Sequence, residues 1–173
     1  MPNAVAEISL QALPTGGLQP RDALVLIGLP ASGKSTLASQ LGSALPAVVI
    51  VSSDAIRAEL YGDAAIQREP ARVFAVAHAR LHQALVAGNA TIFDATNLEA
   101  PFRRRLLAQL RLWGAQRMIG LWLDTPLGVC RVRNQNRVRV IPDRVLERMH
   151  RQLCAYPPTL EEGFDYLVRL AHA

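Results

Sequence analysis

The sequence predicts an α/β fold, in which one parallel sheet of about five strands carries helices on both faces. Short continuous apolar runs alternate with longer helical segments along the 173 residues, a pattern typical of a parallel sheet covered on both sides. Half of the residues are hydrophobic, which is enough for the core of one domain. We therefore expect a single domain over residues 22–173, preceded by a loose extension over residues 1–21, where proline and glycine are frequent.

Five apolar runs have the length and composition of strands. The first run leads directly into a glycine-rich turn, and the next three each end in polar or acidic residues. The predicted strands cover residues 23–27, 47–51, 91–93, 118–123 and 166–170.

The segments between these runs have the spacing and the end signals of helices. Leu37, Leu41 and Leu45 recur at four-residue intervals in the first of them, and proline stands at the start of several others. The predicted helices cover residues 35–45, 55–61, 70–87, 101–113, a segment from 126 into the arginine-rich stretch at 131, and 142–155.

The turn after the first strand, GLPASGKS at residues 28–35, matches the phosphate-binding pattern G-x-x-x-x-G-K-[ST]. Lys34 is the only lysine in the chain, and the other eighteen of its nineteen basic residues are arginine. A compact ammonium suits a narrow phosphate cradle better than a broad guanidinium does. We expect the loop to hold nucleotide phosphates and Ser35 to ligate Mg²⁺. The residues of this predicted site are Gly28, Ala31, Ser32, Gly33, Lys34, Ser35 and Thr36.

Carboxylates follow three of the other predicted strands, and the carboxyl ends of parallel strands share one edge of a sheet. Asp54 is placed to accept the proton of an attacking hydroxyl, while Arg57, one helical turn later, holds an anionic substrate. Asp94, close to Asn97, is the candidate for a water-mediated contact to Mg²⁺. We expect Asp124 to cap the helix that follows it.

An arginine-rich segment lies between the last two predicted helices and contains Arg131, Arg133, Arg137 and Arg139. One interpretation is a solvated helix face. Its position after the strand core favours a mobile lid over residues 131–142, in which arginines such as Arg133 and Arg137 close over the phosphates of ATP.

Taken in order, these motifs resemble the P-loop kinase family that includes phage polynucleotide kinase and many small bacterial ATP-binding proteins. The resemblance covers residues 23–165. Its motifs are GLPASGKST at 28–36, SDAIR at 53–57, DATN at 94–97, and RNQNR with the following IP at 133–142. It implies a P-loop fold that binds ATP, with Asp54 as the general base and Arg137 as the catalytic lid arginine. It also implies that Arg57 and Asp94 help to hold the acceptor, with Asn97 beside them. We expect no attached phosphatase domain, so the resemblance implies a kinase and not end repair.

The implied reaction transfers the γ-phosphoryl group of ATP to an acceptor hydroxyl, with a polynucleotide 5′-hydroxyl as the first candidate. Two alternatives stay open, namely a kinase of metabolites, sugar nucleotides or antibiotics, and an ATP-binding regulatory module without transfer activity. A GTPase would need a second lysine to read guanine, which the chain lacks. A motor ATPase would need a glutamate directly after Asp94 to polarise water, and Ala95 stands there.

Other features of the sequence carry less information about function. The formal net charge of +5 suits an anionic partner such as a nucleotide or nucleic acid. Two scattered cysteines, no signal peptide and no membrane-spanning run lead us to expect a cytoplasmic protein without an obligate protein partner. We expect His78 and His82 to be ordinary helix-surface histidines, and the arginines at 103–105 to form a solvated helix face.

Overall fold

A computed structural model describes residues 13–45, 47–66, 68–137 and 140–171, and it confirms the predicted α/β architecture. Its strands are β1 (Ala23–Ile27), β2 (Val48–Ser52), β3 (Ala90–Asp94), β4 (Met118–Asp124) and β5 (Tyr166–Ala171). They form one sheet in the order β2-β3-β1-β4-β5, and every neighbouring pair is parallel.

The helices agree with the predicted segments to within a few residues at each end. They are α1 (Lys34–Ala44), α2 (Ser53–Tyr61), α3 (Pro70–Val86), α4 (Ala100–Leu112), α5 (Leu127–Gln135) and α6 (Asp143–Ala155), with a 3₁₀ turn at Leu160–Glu162. Helix α2 begins two residues before the predicted position because the Ser52 hydroxyl accepts a hydrogen bond from the backbone N–H of Ala55 at 3.4 Å. A serine in that role satisfies one of the free N–H groups at a helix start.

Alternating side chains of β1 divide the core between the two faces of the sheet. Leu24 and Leu26 pack with Leu37 and Leu41 of α1 on one face. The other face is covered by α2, α3, α4, α5 and α6. Its buried helical side chains are Ile56, Val73, Ala77, Leu81, Leu85, Leu106, Leu107, Leu110, Cys130, Leu146 and Leu153. The sheet is therefore covered on both sides, as the sequence predicts.

The order of the strands decides where a ligand can bind. Strand β1 lies between β3 and β4. The chain leaves β1 toward β2, near one edge of the sheet, and leaves β3 toward β4, nearer the other edge. Such a switch point leaves a crevice beyond the carboxyl ends of the strands. The turn at residues 28–33 follows β1 and lies at this crevice, between the segments that follow β3 and β4.

The segment before β1 is packed where the structure describes it. Leu13 is buried against the face of the sheet that α1 covers. Arg117 donates from Nη2 to the backbone oxygen of Gly17 at 2.9 Å and from Nε to Asp22 Oδ1 at 3.0 Å. These contacts attach residues 13–22 to the amino edge of the sheet. Residues 1–12 of the predicted extension lie outside the described part.

Candidate active site

The phosphate-binding loop is held in place from both sides. The backbone N–H of Gly28 donates to the backbone oxygen of Thr96 at 3.1 Å, and Thr125 Oγ1 donates to the backbone oxygen of Ser32 at 3.0 Å. A β-carbon at Gly28 would lie 2.9 Å from the backbone oxygen of Leu123, closer than side chains tolerate. Only glycine therefore allows the loop to approach β4 in this way.

Helix α1 presents its N-terminus to the centre of the loop. It starts at Lys34, after Gly33 in the left-handed region (φ 105°), and no side chain caps it. Its first N–H groups and the positive end of its dipole therefore face the loop, as an anion-binding site requires. Ser35 and Thr36 are exposed in the first turn. Ala31 also has a positive φ, 64°, a conformation that non-glycine residues seldom adopt.

Lys34 is buried within the phosphate-binding loop. Its Nζ donates to the backbone oxygens of Gly28 at 3.0 Å and Leu29 at 2.7 Å. Burial lowers the pKa of Lys34 to about 8, and the nearby carboxylates of Asp94 and Asp54 oppose that shift. The ammonium has carbonyl partners and two carboxylates within electrostatic range, so a bound phosphate would add to its stabilisation.

Asp54 and Arg57 form an ion pair on the first turn of α2, with 2.7 Å between Arg57 Nη1 and Asp54 Oδ1. The Arg57 side chain is 11% exposed, whereas that of Asp54 is 48% exposed. The arginine is thus largely covered, while the carboxylate is about half exposed and lies within electrostatic range of Lys34. The role of Asp54 toward an acceptor hydroxyl stays a prediction.

Asp94 and Asn97 belong to the segment that leaves β3. Ser52 Oγ donates to Asp94 Oδ2 at 3.4 Å, and Asp94 is buried. Asn97 Nδ2 donates to the backbone oxygens of Leu26 at 2.7 Å and Ala95 at 3.3 Å. The Asn97 amide nitrogen therefore joins the end of β1 to this segment, and its contact with an acceptor stays a prediction.

The oxygen donors at the site fit the chemistry of Mg²⁺, which prefers oxygen and is usually held by few protein ligands together with substrate phosphates. Those donors are the Ser35 hydroxyl and the Asp94 carboxylate. Over the described ranges, no group of three His, Cys, Asp or Glu side chains could hold a metal by itself.

His78 and His82 pack against the Trp113 ring, with centroid distances of 5.8 and 5.4 Å.

Two of the predicted lid arginines lie near the loop. Arg133 Nη1 is 3.5 Å from the backbone oxygen of Ser32. Arg137 is exposed, and its positive charge adds to the lowering of the Lys34 pKa that burial causes. Arg139 lies outside the described residues. Arg133 therefore lies at the loop, and Arg137 lies within electrostatic range of Lys34.

Asn134, at the base of the predicted lid segment, is buried. Its Nδ2 donates to the backbone oxygen of Ile141 at 2.8 Å, and its Oδ1 accepts from the backbone N–H of Ile141 at 3.1 Å. Arg131 turns away from the nucleotide site and donates from Nε to Asp143 Oδ1 at 2.6 Å. The ends of the predicted lid are thus fixed to each other and to α6.

Two sequence predictions near the site are wrong. Asp124 does not cap α5, because Pro126 stands at the N-cap position and no side chain caps the helix. Asp124 Oδ2 instead accepts a hydrogen bond from Arg169 Nε at 2.8 Å. Arg103 does not belong to a solvated face, because it is buried and paired with Glu162.

Three polar residues of the site were not identified from the sequence. They are Ser52, which caps α2 and contacts Asp94, Thr125, which holds the loop, and Asn134, which bonds the backbone of Ile141. Ser52 and Thr125 stand directly at strand ends, where polar residues often serve a site, so their positions were a usable signal. Asn134 bonds a residue beyond the arginine-rich stretch, and no local pattern predicts that contact.

Comparison with known proteins agrees with this architecture. Residues 24–156 match the protein family described as an AAA domain. No curated protein is detectably similar to the chain in sequence. Within the described helices, none has the length and apolarity needed to cross a membrane.

Solved structures with a similar fold include kinases and nucleotide-binding proteins. A chain of the Pnkp1/Rnl/Hen1 RNA repair complex has a TM-score of 0.67 and 23% identity, over 87% of this chain but only 48% of that one. The chain thus spans about half the length of that relative. A gluconokinase from Sinorhizobium meliloti has a TM-score of 0.59 and 17% identity, over 90% and 85% of the two chains. Kti12 from Chaetomium thermophilum, in complex with ADP-AlF3, has a TM-score of 0.60 and 19% identity, over 86% and 88%.

Proposed function

The chain belongs to the AAA domain family, and we propose that it is an ATP-dependent kinase that phosphorylates a polynucleotide 5′-hydroxyl. The Asp54–Arg57 pair carries the kinase part of this proposal, because it sets a half-exposed carboxylate within electrostatic range of Lys34 in the phosphate loop. A site that only bound nucleotide would not need a carboxylate on its acceptor side. Transfer to a hydroxyl needs one, since the proton of that hydroxyl has to be accepted.

In the proposed mechanism, the loop N–H groups and Lys34 hold the β- and γ-phosphates. Ser35 and Asp94 would hold Mg²⁺, which when bound neutralises phosphate charge. Asp54 orients the acceptor hydroxyl and takes its proton while that oxygen attacks the γ-phosphorus in line with the leaving oxygen of ADP.

Arginines complete the proposed site on its two sides. Arg57 holds Asp54 and has donors left for an anionic group of the acceptor. Arg133 and Arg137 close over the phosphates from the lid and stabilise the charge that develops during transfer.

A polynucleotide acceptor is favoured by the order of the sequence motifs, and the positive net charge of the chain suits it without distinguishing it from other anionic acceptors. A small-molecule acceptor is the second candidate. It is favoured by the similarity to the gluconokinase, which extends over most of both chains. In the RNA repair complex, by contrast, the matching chain is about twice as long as the part that this chain covers.

The acceptor can be identified by incubating the protein with γ-labelled ATP and Mg²⁺. One reaction contains a 5′-hydroxyl oligonucleotide, and a matched control contains the same oligonucleotide already phosphorylated at its 5′ end. A third reaction contains a pool of sugar acids, sugar nucleotides and aminoglycosides. We expect label on the 5′-hydroxyl oligonucleotide alone.

Label in the small-molecule pool alone would overturn the polynucleotide acceptor and leave the kinase. The absence of label from every acceptor, with ATP still bound, would overturn the kinase and favour a binding module.

A further inference from the structure

A second charged cluster lies against the backbone of residues 97 and 98, in the segment that follows Asp94. Arg103 of α4 and Glu162 of the 3₁₀ turn form an ion pair with side-chain exposures of 0% and 2%. Arg103 Nε and Nη2 donate to Glu162 Oε2 and Oε1, each at 2.6 Å. This is the bidentate geometry that binds a guanidinium most tightly to a carboxylate.

The other donors of Arg103 reach backbone oxygens of two separate segments. Nη1 donates to Asn97 at 3.0 Å and to Leu98 at 2.7 Å. Nη2 donates to Tyr156 at 2.9 Å. All five N–H groups of the guanidinium therefore have partners.

Stability alone does not account well for such a cluster. Burying two charges is costly, and a buried ion pair is often no more stabilising than apolar side chains of the same volume. The acceptors of Arg103 indicate another role for the cluster. Of its five acceptors, two are the backbone oxygens of the segment that carries Asp94 away from β3.

That segment turns at Asn97, which has a positive φ of 49°, a left-handed conformation that asparagine adopts more readily than most residues. Its other face is attached to the nucleotide site, since Thr96 accepts from Gly28 and Asn97 donates to Leu26. Arg103 is thus the support on the side away from the phosphates.

We propose that Arg103 is a positioning residue for phosphoryl transfer, which fixes residues 94–98 and so sets Asp94 relative to the phosphate loop. The proposal rests on the proposed kinase function. Through Tyr156, Arg103 also attaches the end of α6, the helix that begins directly after the lid. Misplacement of reacting groups by about 1 Å can cost ~10²-fold in rate, so a residue that touches no substrate can still control turnover.

The chain offers a matched control for this proposal. Arg117 and Asp22 form a second ion pair, in which Asp22 is fully buried and Arg117 also binds a backbone oxygen, that of Gly17. This pair lies at the amino edge of the sheet, away from the site. Arg103→Met and Arg117→Met each remove one guanidinium from a buried carboxylate, so both are expected to lower Tm. Arg103→Lys keeps the charge and part of the contacts.

Two measurements test the proposal at a temperature well below the lowest Tm of the three variants. In steady-state kinetics, we expect Arg103→Met to lower kcat by ~10-fold or more and to leave the Kd of ADP unchanged, with partial rescue by Arg103→Lys. In amide hydrogen exchange, we expect faster exchange over residues 94–99 in Arg103→Met only. Arg117→Met is expected to keep the wild-type kcat and the wild-type exchange of that segment.

Equal kinetic losses in Arg103→Met and Arg117→Met would overturn the proposal, and so would wild-type exchange of residues 94–99 in Arg103→Met. If the wild-type protein phosphorylates no acceptor, the proposed function fails by itself. In that case the exchange measurement still decides whether Arg103 holds the segment.

Discussion

The protonation of Lys34 gives a prediction whose size follows from the structure. Burial lowers the pKa of this residue to about 8 in the nucleotide-free protein. The protonated fraction of Lys34 then falls from about 90% at pH 7 to about 10% at pH 9. If phosphates bind only the ammonium form, the apparent Kd of ADP rises about tenfold over this range, or about 1.4 kcal/mol. The phosphates themselves titrate lower, near a pKa of about 6.

The sign follows from the direction of the shift. Because the folded pKa lies below the ordinary value of 10.5, the unfolded chain binds more protons than the folded chain between pH 8 and 10.5. The Lys34 contribution to the free energy of unfolding of the nucleotide-free protein therefore rises with pH in that window. Bound nucleotide has the opposite effect on the pKa of Lys34 and raises it, because phosphate favours the charged form. The binding of nucleotide at pH 8 is therefore expected to take up about half a proton.

Isothermal titration calorimetry in buffers of different ionisation enthalpy measures both the Kd and the proton uptake. The matched control is Lys34→Gln, which has no proton to gain and should bind ADP weakly, with an affinity that does not change with pH. A wild-type Kd that stays constant from pH 7 to 9, or a proton uptake of zero at pH 8, would refute this reasoning.

Two further predictions concern the scaffold of the site. Gly28→Ala should abolish detectable ADP binding while the protein stays folded, because the new β-carbon would lie 2.8 Å from Ser32 Oγ and 2.9 Å from the backbone oxygen of Leu123. An equilibrium binding assay checks this prediction, with circular dichroism as the control for folding. Binding of ADP with the wild-type affinity would contradict it. Asn134→Ala should lower the free energy of unfolding by about 1–3 kcal/mol, because it leaves the backbone N–H and the backbone oxygen of Ile141 without their amide partner. Urea denaturation measures the change, and an unchanged midpoint would contradict the prediction.

Much of the fold could be predicted from local patterns. Continuous apolar runs identified all five strands, and the loop at residues 28–35 could be assigned from its glycines and its lysine. The order of the strands could not be predicted in the same way. It depends on which runs pair across long sequence separations, as when Val25 lies between Phe93 and Gly120.

The errors have a common physical cause. Arg103 opens a run of three arginines in the sequence, and that charge suggested a solvated position. Its partner Glu162 lies 59 residues further along the chain, so the pair becomes visible only in the folded structure. Asp124 was assigned to the nearest helix, whereas its partner Arg169 lies on the neighbouring strand β5. Local sequence patterns predict hydrogen bonds between residues that are close in the sequence. Both Arg103 and Asp124 instead bond to residues that are far away in it.

The central claim is that Asp54 serves an acceptor hydroxyl in a kinase. The most direct test is a single-turnover assay with γ-labelled ATP, Mg²⁺ and the 5′-hydroxyl oligonucleotide, comparing the wild type with Asp54→Asn. The substitution keeps the size of the side chain and removes its ability to take a proton. We expect an unchanged Kd for ADP and a transfer rate reduced by ~10²-fold or more. Transfer by Asp54→Asn at the wild-type rate, or release of the label only as inorganic phosphate by the wild type, would contradict the claim.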